Sequence, residues 1–142
     1  MTDAAEPAWK SLAVLFARLI FAALFAMAVT FKIIDINATA GYITANTGLP
    51  MPLVLAIVAA IFEVALVICF LTGAFFTEAC LLAAAYVVFL GFAFHGPSHW
   101  AKNQDEFGFF VDHFTFLAGL LFAAVHGPGR WLAWRIGLIK GD

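Results

Sequence analysis

Leu53 to Leu71 reads LVLAIVAAIFEVALVICFL, an unbroken apolar run with one charge, Glu63, near its middle. At helical rise a run of this length spans about 28 Å, close to the roughly 30 Å hydrocarbon core of a bilayer. It shows no period-two alternation, and lipid leaves the backbone to satisfy its own hydrogen bonds, so the stretch is expected to be a membrane-spanning helix. Three more runs have the same character. Leu12 to Ile34 is broken only by Arg18 and Lys32, about Phe75 to Phe94 carries Glu78 near its start, and Phe107 to Val125 carries Asp112 and His113. The expected spans are therefore about 12–34, 53–71, 75–94 and 107–125.

The whole composition agrees. Of 142 residues 65% are hydrophobic and only 11% charged, with a mean hydropathy of +1.02. Soluble domains are nearer half apolar and a quarter charged. A disordered tail, a disulfide scaffold and an ordinary soluble enzyme are excluded. Seven basic residues against nine acidic ones make no polycationic surface, so nucleic acid is not an expected partner. Cys69 and Cys80 lie in or beside apolar runs without a CxxC spacing and read as packing thiols.

The connectors divide the runs cleanly. Asp35 to Pro52 is dense in turn formers, Thr72-Gly73 to Thr77 is a short break, His95 to Glu106 is polar, and Gly127-Pro128-Gly129 stops the last run. The expected fold is all-α: one domain, 1–142, forming an integral membrane four-helix up-down-up-down bundle. Lys10, Arg18, Arg130, Arg135 and Lys140 gather at the end that holds both termini, which the positive-inside rule places in the cytoplasm. Ala38-Thr39-Ala40 resembles a signal-cleavage site, yet the run before it is longer than a signal peptide's apolar region and lacks a clean basic start. It is read as a retained span. Trp9, Trp100, Trp131 and Trp134 fall at span boundaries as interface anchors. The tail, 130–142, alternates Trp, Leu and Ile with Arg and Lys and reads as an amphipathic segment on an anionic leaflet.

A charge near a helix centre in hydrocarbon costs at least about 2.5–3.5 kcal/mol, so such groups face the bundle and pair. Glu63 follows Ala56, Ala59 and Ala60 on one face; Arg18 shares a face with Ala22 and Ala26; Asp112 shares one with Phe116, Gly119 and Ala123. Small residues mark close helix approach. Depth along the helices suggests the pairs Arg18–Glu63 and Lys32–Asp112, or one chain of polar contacts joining them. Such pairs either only fix helix register, or they line a polar cavity that binds a small amphipathic ligand or relays protons. His95, His99 and His113 fall at one level, but Gly96-Pro97 breaks any helical ligand spacing between the first two, so neither a metal site nor a haem is expected. His113 beside Asp112 suits a hydrogen bond to a quinone carbonyl or a proton shuttle, or else simply meets interfacial water.

Several features recur in an order that resembles the DoxX family of small four-span membrane proteins. These are Arg18, Phe31-Lys32, Gly41-Tyr42, Gly48-Leu49-Pro50-Met51-Pro52, Glu63, Gly73 with Thr77, His95, Phe109-Phe110, Asp112 and Gly127-Pro128-Gly129-Arg130-Trp131. The sequence departs from the family pattern at Val64-Ala65-Leu66, at Val111 and at His113. The family is largely bacterial and is named for a subunit associated with a terminal quinol oxidase, and related members act in thiosulfate:quinone oxidoreduction. The resemblance implies a multi-pass protein of the bacterial inner membrane. It would be a subunit or accessory of a quinone-linked respiratory or redox complex, in a larger assembly or a homo-oligomer. No covalently bound cofactor is expected, and quinone is the candidate ligand. Arg18, Lys32, Glu63, Asp112 and His113 are then the candidate ligand-binding or proton-relay residues. The competing expectation is a purely structural or assembly module without a ligand site; whether the chain is itself an enzyme is left open.

Overall fold

A computed structural model describes residues 7–139; Lys140, counted above among the basic residues, and the last residues of the 130–142 tail lie outside them. The described chain is entirely helical apart from turns and the tail. Its elements are α1 (Ala8–Ile34), α2 (Ile36–Thr47), α3 (Pro52–Thr72), α4 (Phe76–His95), the single turn α5 (Pro97–Trp100) and α6 (Asp105–His126). Four helices are long and apolar enough to cross a membrane, with α4 and α5 counted as one span.

The bundle consists of two antiparallel hairpins, α1 with α3 and α4 with α6, which meet face to face. Each helix buries a narrow stripe and leaves the rest to lipid. On α1 the stripe is Ser11, Arg18, Ala22, Phe25 and Val29; on α3 it is Ala56, Glu63, Leu66 and Phe70. On α4, Phe76, Ala79, Cys80, Ala83, Ala84, Val87 and Gly91 are buried. That succession of small residues lets the α6 backbone approach closely, the device that replaces hydrophobic drive when the solvent is itself oil. At Gly91 the approach is tight enough that an added Cβ would lie 3.1 Å from the His113 Cβ. The two hairpins are joined by a cluster of phenylalanine rings. Phe21 and Phe25 of α1 each meet both Phe70 of α3 and Phe116 of α6 at 5.6–5.9 Å between centroids, separations typical of favourable aromatic pairs.

The segment Asp35 to Pro52, expected as a connector of turns, contains a helix. The Asp35 carboxylate accepts the Ala38 N–H at 2.8 Å as a side-chain cap, and Gly48 closes α2 in the left-handed conformation at φ 63°. Weak helix formers are held helical here because both ends are capped and Ala40 and Ile43 are buried against the bundle. No helix forms beyond Gly127 among the described residues. Instead the backbone is tied to the α3–α4 turn: Trp134 N–H donates to Thr72 O at 2.8 Å and Phe75 N–H donates to Ile136 O. The N–H groups of Leu138 and Ile139 both donate to the Glu78 carboxylate. The tail is a strap whose backbone faces the bundle while Trp131, Leu132, Trp134 and Leu138 stay exposed.

Candidate functional site

At the end opposite the termini the four helices part around a cavity of about 950 Å³. The second half of α1, the first half of α3 and the second half of α4 wall it, α2 roofs it, and His113 enters from α6. Most of the wall is aromatic and aliphatic, including Phe31, Phe62, Phe89 and Phe94. Tyr42 stacks on Phe94 with centroids 5.3 Å apart. Polar groups reach the cavity at two levels. Lys32 and Tyr86 lie deep in it, and His95 and His113 lie toward the far end.

The deep group is built on Glu63, which is 1% exposed. Its Oε1 accepts from the Lys32 ammonium at 2.9 Å and from the Tyr86 hydroxyl at 2.8 Å. The Phe62 ring meets Tyr86 edge-on at 5.1 Å and holds the phenol in place. The other carboxylate oxygen, Oε2, is buried without a partner among the described residues. Two donors thus converge on one oxygen while an acceptor of the same group stays unsatisfied in a low-dielectric interior. This is an expensive arrangement for a group with a purely architectural role.

The expected pairing is therefore corrected: Glu63 takes Lys32, not Arg18. Arg18, 1% exposed, points to the end that carries the termini and uses its entire guanidinium on backbone carbonyls. Nε donates to Phe70 O at 3.1 Å, one terminal nitrogen to Pro128 O and Trp131 O at 3.0 Å, and the other to Leu71 O and Leu132 O at 2.9 Å. All five N–H donors are satisfied. The α3 carbonyls are orphaned at the negative end of a helix dipole, which is what a buried cation can use in place of a carboxylate. Arg18 clamps the tail strap to α3 and lies outside the cavity.

The Lys32–Asp112 pair is corrected as well. Asp112 is exposed on the outside of α6, beside a shallow groove with Gln104, Asp105 and Gly108, and makes no ion pair among the described residues. The inward face of α6 is centred on His113, Leu117, Leu120 and Ala124. Successive helix residues lie about 100° apart, so Asp112 and His113 cannot both face inward. The close packing of His113 on Gly91 selects the histidine. His113 Nδ1 is bonded to Phe109 O at 2.7 Å.

Of the five candidate residues, then, Lys32 and His113 line the cavity, Glu63 lies behind its wall bonded to Lys32 and Tyr86, and Arg18 and Asp112 are elsewhere. Three more polar residues belong to it that charge alone did not single out. Tyr86 had a legible signal, a phenol in mid-span whose hydroxyl needs a partner when buried. His95 Nδ1 bonds Glu106 Oε2 at 2.6 Å, and its ring lies 5.2 Å from that of His113. Tyr42, although about half exposed, has its hydroxyl pushed above the usual tyrosine range by burial and then by the Glu106 charge, so it stays a neutral donor at physiological pH. Among the described residues no three His, Cys, Asp or Glu side chains are grouped to hold a metal ion.

The family model described as DoxX matches residues 13–96, more than half of the sequence. The chain belongs to the DoxX family. No curated protein and no solved structure matches it. In this DoxX protein the matched stretch holds Lys32, Glu63, Tyr86 and His95; Glu106, His113 and the tail strap lie beyond it.

Proposed function

We propose that this DoxX protein is a bacterial inner-membrane subunit or accessory of a quinone-linked redox complex, and that the cavity between α1, α2, α3 and α4 takes a quinone headgroup. The observation that carries this reading is the buried Lys32–Glu63–Tyr86 set, whose ammonium and phenol reach an aromatic-walled cavity. At about 950 Å³ the cavity is near the upper end of small-molecule sites, which run from about 300 to 1,000 Å³. Its two polar levels also suit the ligand. Tyr86 and His95 are about 13 Å apart in axial rise along α4. A ring with para oxygens, hydrogen-bonded at both ends by contacts of about 2.8 Å, reaches about 11 Å. In the quinol form one oxygen would accept from the Lys32 ammonium while the Tyr86 proton stays on Glu63, the other hydroxyl would donate to Nε2 of His95 or His113, and the aromatic walls would flank the ring. The isoprenoid tail would leave past α2 into lipid. The reading places both termini in the cytoplasm, which turns the cavity toward the opposite aqueous phase. The chain carries no redox motif of its own, so electrons would come from a partner subunit.

The test is binding. Protein purified in mild detergent is extracted for quinone and then titrated with an n-decyl benzoquinone. Titrated with the reduced quinol of the same compound, His113→Leu should bind about tenfold more weakly than the wild type, the equivalent of one lost hydrogen bond of about 1.4 kcal/mol. Absence of any quinone affinity in a folded protein that still co-purifies with larger subunits supports the structural-module reading and overturns this one.

A further inference from the structure

The His95–Glu106 contact lies at the far end of the cavity, apart from the buried Glu63 group. His95 closes α4 and Glu106 opens α6, two ends that the α5 turn folds back on each other. Both imidazoles, His95 and His113, line the cavity, whereas Glu106 does not. Glu106 lies in the first turn of α6, directly after exposed Lys102, Asn103, Gln104 and Asp105. The pair therefore joins the cavity to the polar rim of the bundle. The side chains are 19% and 22% exposed, mostly covered by the protein yet not sealed inside it.

The geometry points to a proton relay, in which His95 and Glu106 carry protons between a hydroxyl of the cavity ligand and the aqueous phase on the side opposite the termini. This rests on the cavity being a quinone site. An ionised carboxylate only accepts hydrogen bonds, so with Oε2 of Glu106 at 2.6 Å the proton of the neutral imidazole sits on Nδ1. Nε2 is then an acceptor, and it makes no protein hydrogen bond among the described residues. In the outward step the ligand O–H bond breaks and its electron pair stays on oxygen. An N–H bond forms at Nε2, the Nδ1 proton passes to Glu106 Oε2, and the carboxyl group releases it to water. The inward step is the reverse. Only a proton moves, and no oxidant is needed for the transfer itself.

The surroundings fix the pair for this work. Trp100 of α5 donates its Nε1–H to the His95 carbonyl oxygen at 2.8 Å, and the Phe109 ring lies 5.4 Å from the imidazole. The other titratable groups near the pair are His113 on α6, Tyr42 on α2 and Asp35 at the N-cap of α2, His99 on α5, and Lys102 and Asp105 on the exposed rim beside Glu106. Asp35 is committed to the Ala38 N–H and His113 Nδ1 to Phe109 O. His113 thus lacks a carboxylate through which to pass a proton on, and His95 has one.

The experiment uses the full chain in nanodiscs and a chromogenic probe, an alkyl-tailed 4-nitrophenol, whose absorbance reports its own ionisation. After a rapid pH jump, the bound probe should follow the bulk pH quickly in the wild type. In Glu106→Gln and His95→Gln the response should slow by at least about tenfold, within the range general acid–base groups supply. Affinity for n-decyl benzoquinone should change by less than about threefold in Glu106→Gln, since Glu106 does not line the cavity. Two variants at different positions, each checked for an unchanged thermal midpoint, separate the relay from a folding defect. Quinone binding with equal pH-jump rates in the wild type and both variants overturns the relay alone. Failure of the wild type to bind either probe overturns the quinone site and the relay with it.

Discussion

The Lys32–Glu63 pair should be energetically lopsided, and the structure says in which direction. Glu63 is 1% exposed against 19% for the Lys32 side chain. Lys32→Met removes the one cation bonded to a carboxylate that has no route to water and leaves it a single phenol donor. Breaking a buried pair in this way costs about 3–5 kcal/mol. Glu63→Gln instead leaves an ammonium on a four-carbon stem already open to the cavity, which can turn toward the wetter end. The glutamine carbonyl still accepts from Tyr86, so the loss should be about 1–2 kcal/mol. The double variant Lys32→Met/Glu63→Gln carries no buried charge and should resemble Glu63→Gln alone, so the coupling in a double-mutant cycle equals the whole Lys32→Met loss, about 3–5 kcal/mol. Unfolding by titrating sodium dodecyl sulfate into mild-detergent micelles, followed by circular dichroism, measures all four proteins. Equal losses from the two single variants, or additivity within about 0.5 kcal/mol, would refute the reasoning.

Other perturbations separate the parts of the molecule. Arg18→Lys loses the planar five-donor fork and should cost about 2–4 kcal/mol, with the tail after Gly127 becoming cleavable by added protease; an intact, resistant tail would contradict the clamp. Gly91→Ala pushes a methyl against the His113 Cβ, 3.1 Å away, and should cost about 1–3 kcal/mol in the same unfolding assay. Asp112→Asn, on the exposed face of α6, should shift stability by less than about 0.5 kcal/mol, whereas a loss like that of Lys32→Met would revive the Lys32–Asp112 pair.

What could be read from the sequence alone was whatever depends on length, hydropathy and the cost of charge in oil. Four runs long enough to cross the bilayer, separated by turn formers, require four helices whatever their neighbours do. A lone carboxylate in the middle of one, Glu63, had to turn inward to a cation. Which cation was beyond its reach. Lys32 and Arg18 sit on the same helix, and the choice between them depends on helix depth and on competing acceptors. The acceptors that won Arg18 are backbone carbonyls at the end of α3 and in the tail, which no residue pattern announces. The rotation of α6 was equally invisible, since Asp112 and His113 differ by one residue and a helix turns about 100° in that step. Tertiary packing at Gly91 settled it. The helix in the first connector has local caps at Asp35 and Gly48 but also buries Ala40 and Ile43 against the bundle, and His95 meets Glu106 only because the α5 turn folds two helix ends back on each other. Local chemistry decides which groups cannot face lipid; the packed helices decide whom they meet.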